Sequence, residues 1–191
     1  MTLAYVLVAI VMLAELPTLG QRRPGSRSGD RGSYVWVMLL MSAGYYSAFY
    51  VAGRAAGDPA FRAGLSPLFF GRWSAWAGTI LAVGGTVFRQ WAIRTLGRFF
   101  TRSVRVSSDQ PVVQDGPYRW VRHPSYTGSI LAAAGIGLAL GNALSLACLA
   151  VAFLAGFGYR IHVEEAALVE ALGEPYREYR SRTKRLIPFV W

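Results

Sequence analysis

The chain has 191 residues, enough for one or at most two units, with 53% hydrophobic residues, only 16% charged ones and a formal net charge of +10. A soluble domain of this length carries nearer a quarter charged residues, so this composition and a mean hydropathy of +0.32 argue against an ordinary soluble fold. They point to a multi-pass membrane protein whose basic residues face lipid headgroups rather than nucleic acid. The single cysteine, Cys148, lies inside an apolar run and reads as a small buried hydrophobe; it excludes an intrachain disulfide or a cysteine metal cluster. His123 and His162 are the only histidines and lack metal-ligand spacing, so no metal site is expected. Lys184 is the only lysine, an arginine bias that fits a GC-rich bacterial genome and an inner-membrane location.

Residues 1–20 are apolar apart from Glu15, with Pro17 interrupting the far end. Without a basic n-region the stretch reads as a first membrane helix rather than a cleaved leader, with Glu15 snorkelling at its end. A flexible basic loop, "QRRPGSRSGDRGS" at 21–33, follows. Residues 34–53 give a second span of 20 uncharged residues, long enough for ~30 Å of hydrocarbon. A third span runs from Trp73 to Phe88, bracketed by Arg72 and Arg89.

From Pro124 to Tyr159 there are 36 residues without a charged side chain. One straight helix of that length would reach ~54 Å, nearly twice a bilayer core. Gly141-Asn142 at the midpoint is a turn signal, so the run reads as a helical hairpin, 125–140 and 143–159. The expected fold is therefore all-α: an integral membrane protein of about five transmembrane helices with a cytoplasmic C-terminal helical cap. Residues 1–93 would form an N-terminal set of spans, and 94–191 a second portion of connector, hairpin and C-terminal helices. With five spans, seventeen of the twenty basic residues fall on one side, which puts the N-terminus outside and the C-terminus in the cytoplasm.

This topology brings both ends of the hairpin to one surface. At one end stands "GPYRWVRHPSYTG" (116–128), where Tyr118, His123 and Tyr126 are polar-tipped groups held between two proline turns. The stretch "YRWVRH" within it also fits an interface belt of Tyr, Trp and Arg. At the other end begins "RIHVEEAALVEALGEPYREY", where Arg160 and Glu164 share a helix face four residues apart. Charges at the edge of hydrocarbon are costly, so this pair is a site candidate. Gly173 stops that helix, Pro175 starts another, and Tyr176 to Arg185 suits a helix lying on an anionic leaflet. Asp109 and Asp115 read as solvated loop acids.

With these motifs in view, the chain resembles the isoprenylcysteine carboxyl methyltransferase family and the related membrane phospholipid methyltransferases. The matching residues are "LGRFFT" (96–101), "GPYRWVRHPSYTG" (116–128), "GNALS" (141–145), "RIHVEEAAL" (160–168), "LGEPYREY" (172–179) and "LIPFVW" (186–191), in roughly residues 90–191. The resemblance implies an integral-membrane enzyme using S-adenosylmethionine. Carried over by position, Tyr118, His123, Pro124, Ser125, Tyr126 and Glu164 match cofactor-contacting residues. Gln110, Pro111, Val112 and Val113 match a segment that usually reads His-x-Leu-Val, so Gln110 stands where histidine is usual. Arg160 matches the arginine assigned to the substrate carboxylate, and Asn142-Ala143 replaces the usual Asn-Pro of the hairpin turn.

On that basis Glu164 would answer the cofactor's amine or a ribose hydroxyl. His123 or an adjacent amide would answer its carboxylate, and Tyr118 and Tyr126 would cover the adenine. The expected acceptor is the carboxylate of a prenylated cysteine or a similar lipophilic molecule. A lipid amine acceptor, a non-catalytic scaffold and a reductase-like relative remain alternatives.

Overall fold

The structure is a computed structural model that describes residues 2–16, 27–28, 32–101, 105–106 and 110–187. The basic stretch at 21–26 and Asp109 lie outside the described residues. The helices are α1 (Thr2–Glu15), α2 (Ser33–Gly57), α3 (Pro59–Gly64), α4 (Trp73–Leu96), α5 (Pro124–Ala139), α6 (Ala143–Leu172) and α7 (Glu174–Arg182). A two-residue antiparallel pairing joins β1 (Arg27–Ser28) to β2 (Arg105–Val106). Among the described residues, α2 and α6 are long and apolar enough to cross a membrane by length and composition, and α1 is a shorter apolar helix.

Local chemistry explains the boundaries. Pro124 opens α5 at its first position, where no amide donor is required. Gly141, at φ 80, turns the chain, and the Asn142 side chain accepts from the Ser145 amide to cap α6. The hairpin is thus where the sequence places it. Two helices run further than expected. α4 continues past Phe88 to Leu96, and α6 continues unbroken through the charged segment to Leu172. A boundary between residues 93 and 94 would therefore fall inside α4.

The closest packing is between α4 and α5. A Cβ on Gly85 would lie 2.6 Å from the Ala132 amide nitrogen, and one on Gly135 would lie 2.3 Å from that of Ala82. Small residues at helical spacing on both partners let the backbones touch, the usual device where hydrophobic burial cannot drive helix association. α2 meets α6 similarly, with Gly44 against Ala152 and the Ser145 hydroxyl donating to the Ala48 carbonyl at 2.8 Å. Leu7, Val37, Ile136, Leu149, Phe153 and Phe157 fill the interior where these helices meet. The outer faces are apolar as well: Trp36, Leu39, Tyr46 and Tyr50 on α2, and Trp73, Trp76, Ile80 and Val87 on α4, are exposed.

Gly135→Ala should destabilise the protein by about 1–3 kcal/mol, the usual cost of overpacking. Gly84→Ala, where a Cβ meets nothing within 4 Å, should leave the Tm unchanged or raised. Thermal unfolding in detergent distinguishes the two.

Candidate active site

The C-terminal residues are strapped across the start of α5. The Arg122 and His123 amides donate to the Lys184 and Arg185 carbonyls at 2.8 and 3.0 Å, and the Thr127 hydroxyl donates to the Leu186 carbonyl at 2.8 Å. Beneath the strap lies Glu165, whose side chain is only 4% exposed. Its carboxylate accepts from Arg122 Nε at 2.8 Å and from Arg185 at 3.3 Å, and lies 3.4 Å from His123 Nε2. Arg122 also donates to the Arg180 and Thr183 carbonyls. One buried carboxylate thus links α6, the knot before α5, and the tail.

This clamp positions a second chain of polar contacts. Arg160 Nε donates to the Tyr126 hydroxyl at 2.8 Å, and that hydroxyl donates to Glu164 Oε2 at 2.5 Å. Arg160 also donates to the Ser33 hydroxyl on α2 at 3.2 Å. The expected Arg160–Glu164 pair is therefore bridged by Tyr126. The Tyr126 ring is stacked on His123 and Phe157, with centroids 5.5 and 4.5 Å away.

A polar cleft of about 790 Å³, mouth included, opens over this chain. Its walls carry Gln110, Pro111, Val112 and Val113 from the connector, Tyr118, His123, Ser125 and Tyr126 from the knot, and Arg160 and Glu164 from α6. Nine of the ten cofactor positions expected from the resemblance thus border one cleft, together with Arg160. Pro124 is the exception: it is fully buried at the start of α5, where its ring shapes the turn.

Several finer expectations change. The Tyr126 ring stacks on His123 and Phe157, and its hydroxyl joins Arg160 to Glu164. His123 Nε2 is held against Glu165 and its Nδ1 lies 4.0 Å from Glu164, while the amides of Arg122 and His123 bond the strap and are not spare for a carboxylate. Tyr118 is buried, which with the Glu164 charge pushes its hydroxyl well above its ordinary pKa and keeps it neutral. α7 docks on the protein through one face: Tyr176 and Tyr179 are buried, and the Tyr179 hydroxyl donates to the Tyr118 carbonyl at 2.6 Å. Glu165 and Tyr176 were not singled out from sequence. The Glu-Glu doublet held a signal, because adjacent helical residues point ~100° apart and only one can face the cleft.

Against the other side of Tyr126 lies an open apolar cavity of about 1200 Å³, mouth included, between α1, α2, α4, α5 and α6. Val11, Val37, Met41, Tyr45, Phe153 and Phe157 are among its walls, and it shares Phe100, Thr101, Tyr126 and Arg160 with the polar cleft. Glu15 also borders it. Instead of snorkelling, Glu15 takes a two-pronged pair with Arg89, at 2.5 and 2.9 Å, while Arg89 also donates to the Ser125 carbonyl at 3.1 Å. A basic partner at the same depth on α4 makes the bundle the better place for the carboxylate.

Residues 78–170 match the model of the isoprenylcysteine carboxyl methyltransferase family. A protein-S-isoprenylcysteine O-methyltransferase B of Arabidopsis thaliana is 33% identical over 120 residues, covering 62% of this chain and 61% of that one. The Saccharomyces cerevisiae protein-S-isoprenylcysteine O-methyltransferase is 37% identical over 115 residues, 59% of this chain and 48% of that protein. A solved structure of a eukaryotic intramembrane Ras methyltransferase of the same name matches 98% of this chain and 61% of its own, with TM-score 0.64 and 25% identity. The chain spans about three fifths or less of the length of these relatives. The resemblance read from the motifs is thus found again by whole-chain shape.

Glu165→Gln should destabilise the protein by about 3–5 kcal/mol, because it strips the buried charge from Arg122 and Arg185. Denaturant unfolding in detergent measures it.

Proposed function

We propose that this protein is a membrane methyltransferase that moves a methyl group from S-adenosylmethionine to the carboxylate of an isoprenylcysteine or similar lipophilic acceptor. The observation that carries this reading is the shared wall: a polar cleft and an apolar cavity meet at Tyr126 and Arg160. A polar, charged cofactor and a greasy acceptor need separate surroundings and one point of contact.

The residues present fit the cofactor. Glu164 offers a carboxylate to an ammonium or ribose hydroxyl, and the 110–113 stretch brings peptide groups to the opposite wall. Leu168 and Leu172 give the cleft an apolar section for a heterocycle. When bound, S-adenosylmethionine supplies an electrophilic methyl on a sulfonium cation. The chain's own task is to hold an acceptor oxygen in line with that methyl and away from water. Arg160, buried and braced by Tyr126 and Ser33, presents a planar fork suited to a carboxylate. The same guanidinium would repel a protonated amine, which disfavours a lipid amine acceptor. Tyr126 holds Arg160 and Glu164 in register with one another, so acceptor and cofactor are aligned by one hydroxyl.

On this reading α1, α2, α4, α5 and the first part of α6 form five spans, with the cleft on the cytoplasmic side and the N-terminus outside. A reporter fused after Trp191 should then read cytoplasm, and one placed before Met1 should read the outside. Both termini on one side would remove a span.

Purified protein incubated with methyl-labelled S-adenosylmethionine and N-acetyl-S-farnesylcysteine should give a base-labile methyl ester. Label appearing only on amine-bearing lipids would overturn the carboxylate reading. Arg160→Lys should retain cofactor binding and lose ~10²-fold or more in transfer, because a point charge cannot orient the acceptor.

A further inference from the structure

Tyr176 stands apart from the other groups around the cleft. Its ring is 4% exposed and it borders the polar cleft, yet its hydroxyl is buried without a hydrogen-bond partner, the one such side-chain atom among the described residues. Tyr179, one turn further along α7, makes the contrast. Its hydroxyl is satisfied by the Tyr118 carbonyl at 2.6 Å, so that tyrosine is explained by the fold. An unpaired buried hydroxyl weakens a protein, and phenylalanine would fill the same space without that cost. The fold accounts for the Tyr176 ring and leaves its oxygen over.

Resting on the methyltransferase reading above, we infer that the Tyr176 hydroxyl donates a hydrogen bond to the adenosine half of the bound cofactor. Three observations select that half. Burial, with the negative charges of Glu165 and Glu164, pushes the Tyr176 hydroxyl far above its ordinary pKa, so it remains a neutral donor. The same two carboxylates disfavour the cofactor's own carboxylate there, whereas the nucleoside is uncharged and rich in acceptors. Leu168 and Leu172, four and eight residues beyond Glu164, continue its face of α6 into the section of cleft that Tyr176 helps enclose. They offer a flat ring an apolar bed. The methyl-bearing centre must reach the wall at Tyr126 and Arg160, two to three helical turns earlier, which leaves this section for the nucleoside. Tyr176 is then a binding residue reached through the turn at Gly173, outside the stretch that the family model covers.

The test is Tyr176→Phe, read by titration with S-adenosylhomocysteine and with 5′-methylthioadenosine, which keeps the adenosine and lacks the amino-acid end. Both should bind roughly 5–20-fold more weakly to the variant, as for one lost hydrogen bond to a buried group. The ligand-free Tm should stay unchanged or rise. Tyr179→Phe, which breaks the bond to Tyr118, should lower that Tm and so sets the scale of a structural tyrosine. Equal affinities in wild type and Tyr176→Phe would overturn the inference while leaving the methyltransferase reading intact. A loss seen with S-adenosylhomocysteine alone would move the hydroxyl to the amino-acid end and overturn the adenosine assignment. A drop in ligand-free Tm for Tyr176→Phe would assign the hydroxyl to the fold, against the inference. Failure of the wild-type protein to bind either nucleoside would instead remove the methyltransferase reading itself.

Discussion

The buried carboxylate of Glu165 is the constraint on which the site depends. A charge held that far from water is tolerable only when its partners are fixed, and here they come from the knot before α5 and from the tail. Once Arg122 and Arg185 are drawn to one carboxylate, the main chain at 184–186 is brought to bond the residues at 122–127. That strap buries Leu186 in the core and carries α7 across the cleft. Glu164, its neighbour on α6, faces the cleft instead and accepts from the Tyr126 hydroxyl, while Glu165 takes the structural load.

A second constraint comes from the seam between α4 and α5. Where glycines and alanines let two backbones touch, the side chains just beyond the contact are set with little slack. Arg89 reaches the Ser125 carbonyl from one helix to the other, and Tyr126 follows at once, stacked on Phe157 of α6. Aromatic stacking, helix contact and the Arg160 hydrogen bond all act on one ring. This is preorganisation in the ordinary sense, with the geometry determined before any ligand arrives.

Much of this was legible in the sequence. The hairpin turn at Gly141-Asn142, the opening of α5 at Pro124 and the stop at Gly173 are local signals, and each appears where the residues put it. The residues matched to cofactor positions, Pro124 apart, also gather at one cleft, since ordered motifs carry their spacing with them. What could not be read was partnership. Glu15 looked like an end-of-helix snorkel because Arg89 is 74 positions away, and only the packing of α1 on α4 joins them. The docking of Tyr176 to Arg185 on the protein could not be read either, because the buried carboxylate that holds Arg185 lies on another element. Small residues at 78, 82 and 85 read as hydropathy alone until 128, 132 and 135 were set against them.

Among the described residues, the two chambers share Phe100, Thr101, Tyr126 and Arg160. On the proposed reading, each ligand is exchanged with its own phase, one with the aqueous side and one with the bilayer. The quantity that governs acceptor supply is then a surface density, molecules per area of membrane, rather than a bulk concentration. Adding inert lipid at constant acceptor dilutes one ligand and leaves the other untouched, so the width of the membrane surface becomes a kinetic variable of the enzyme.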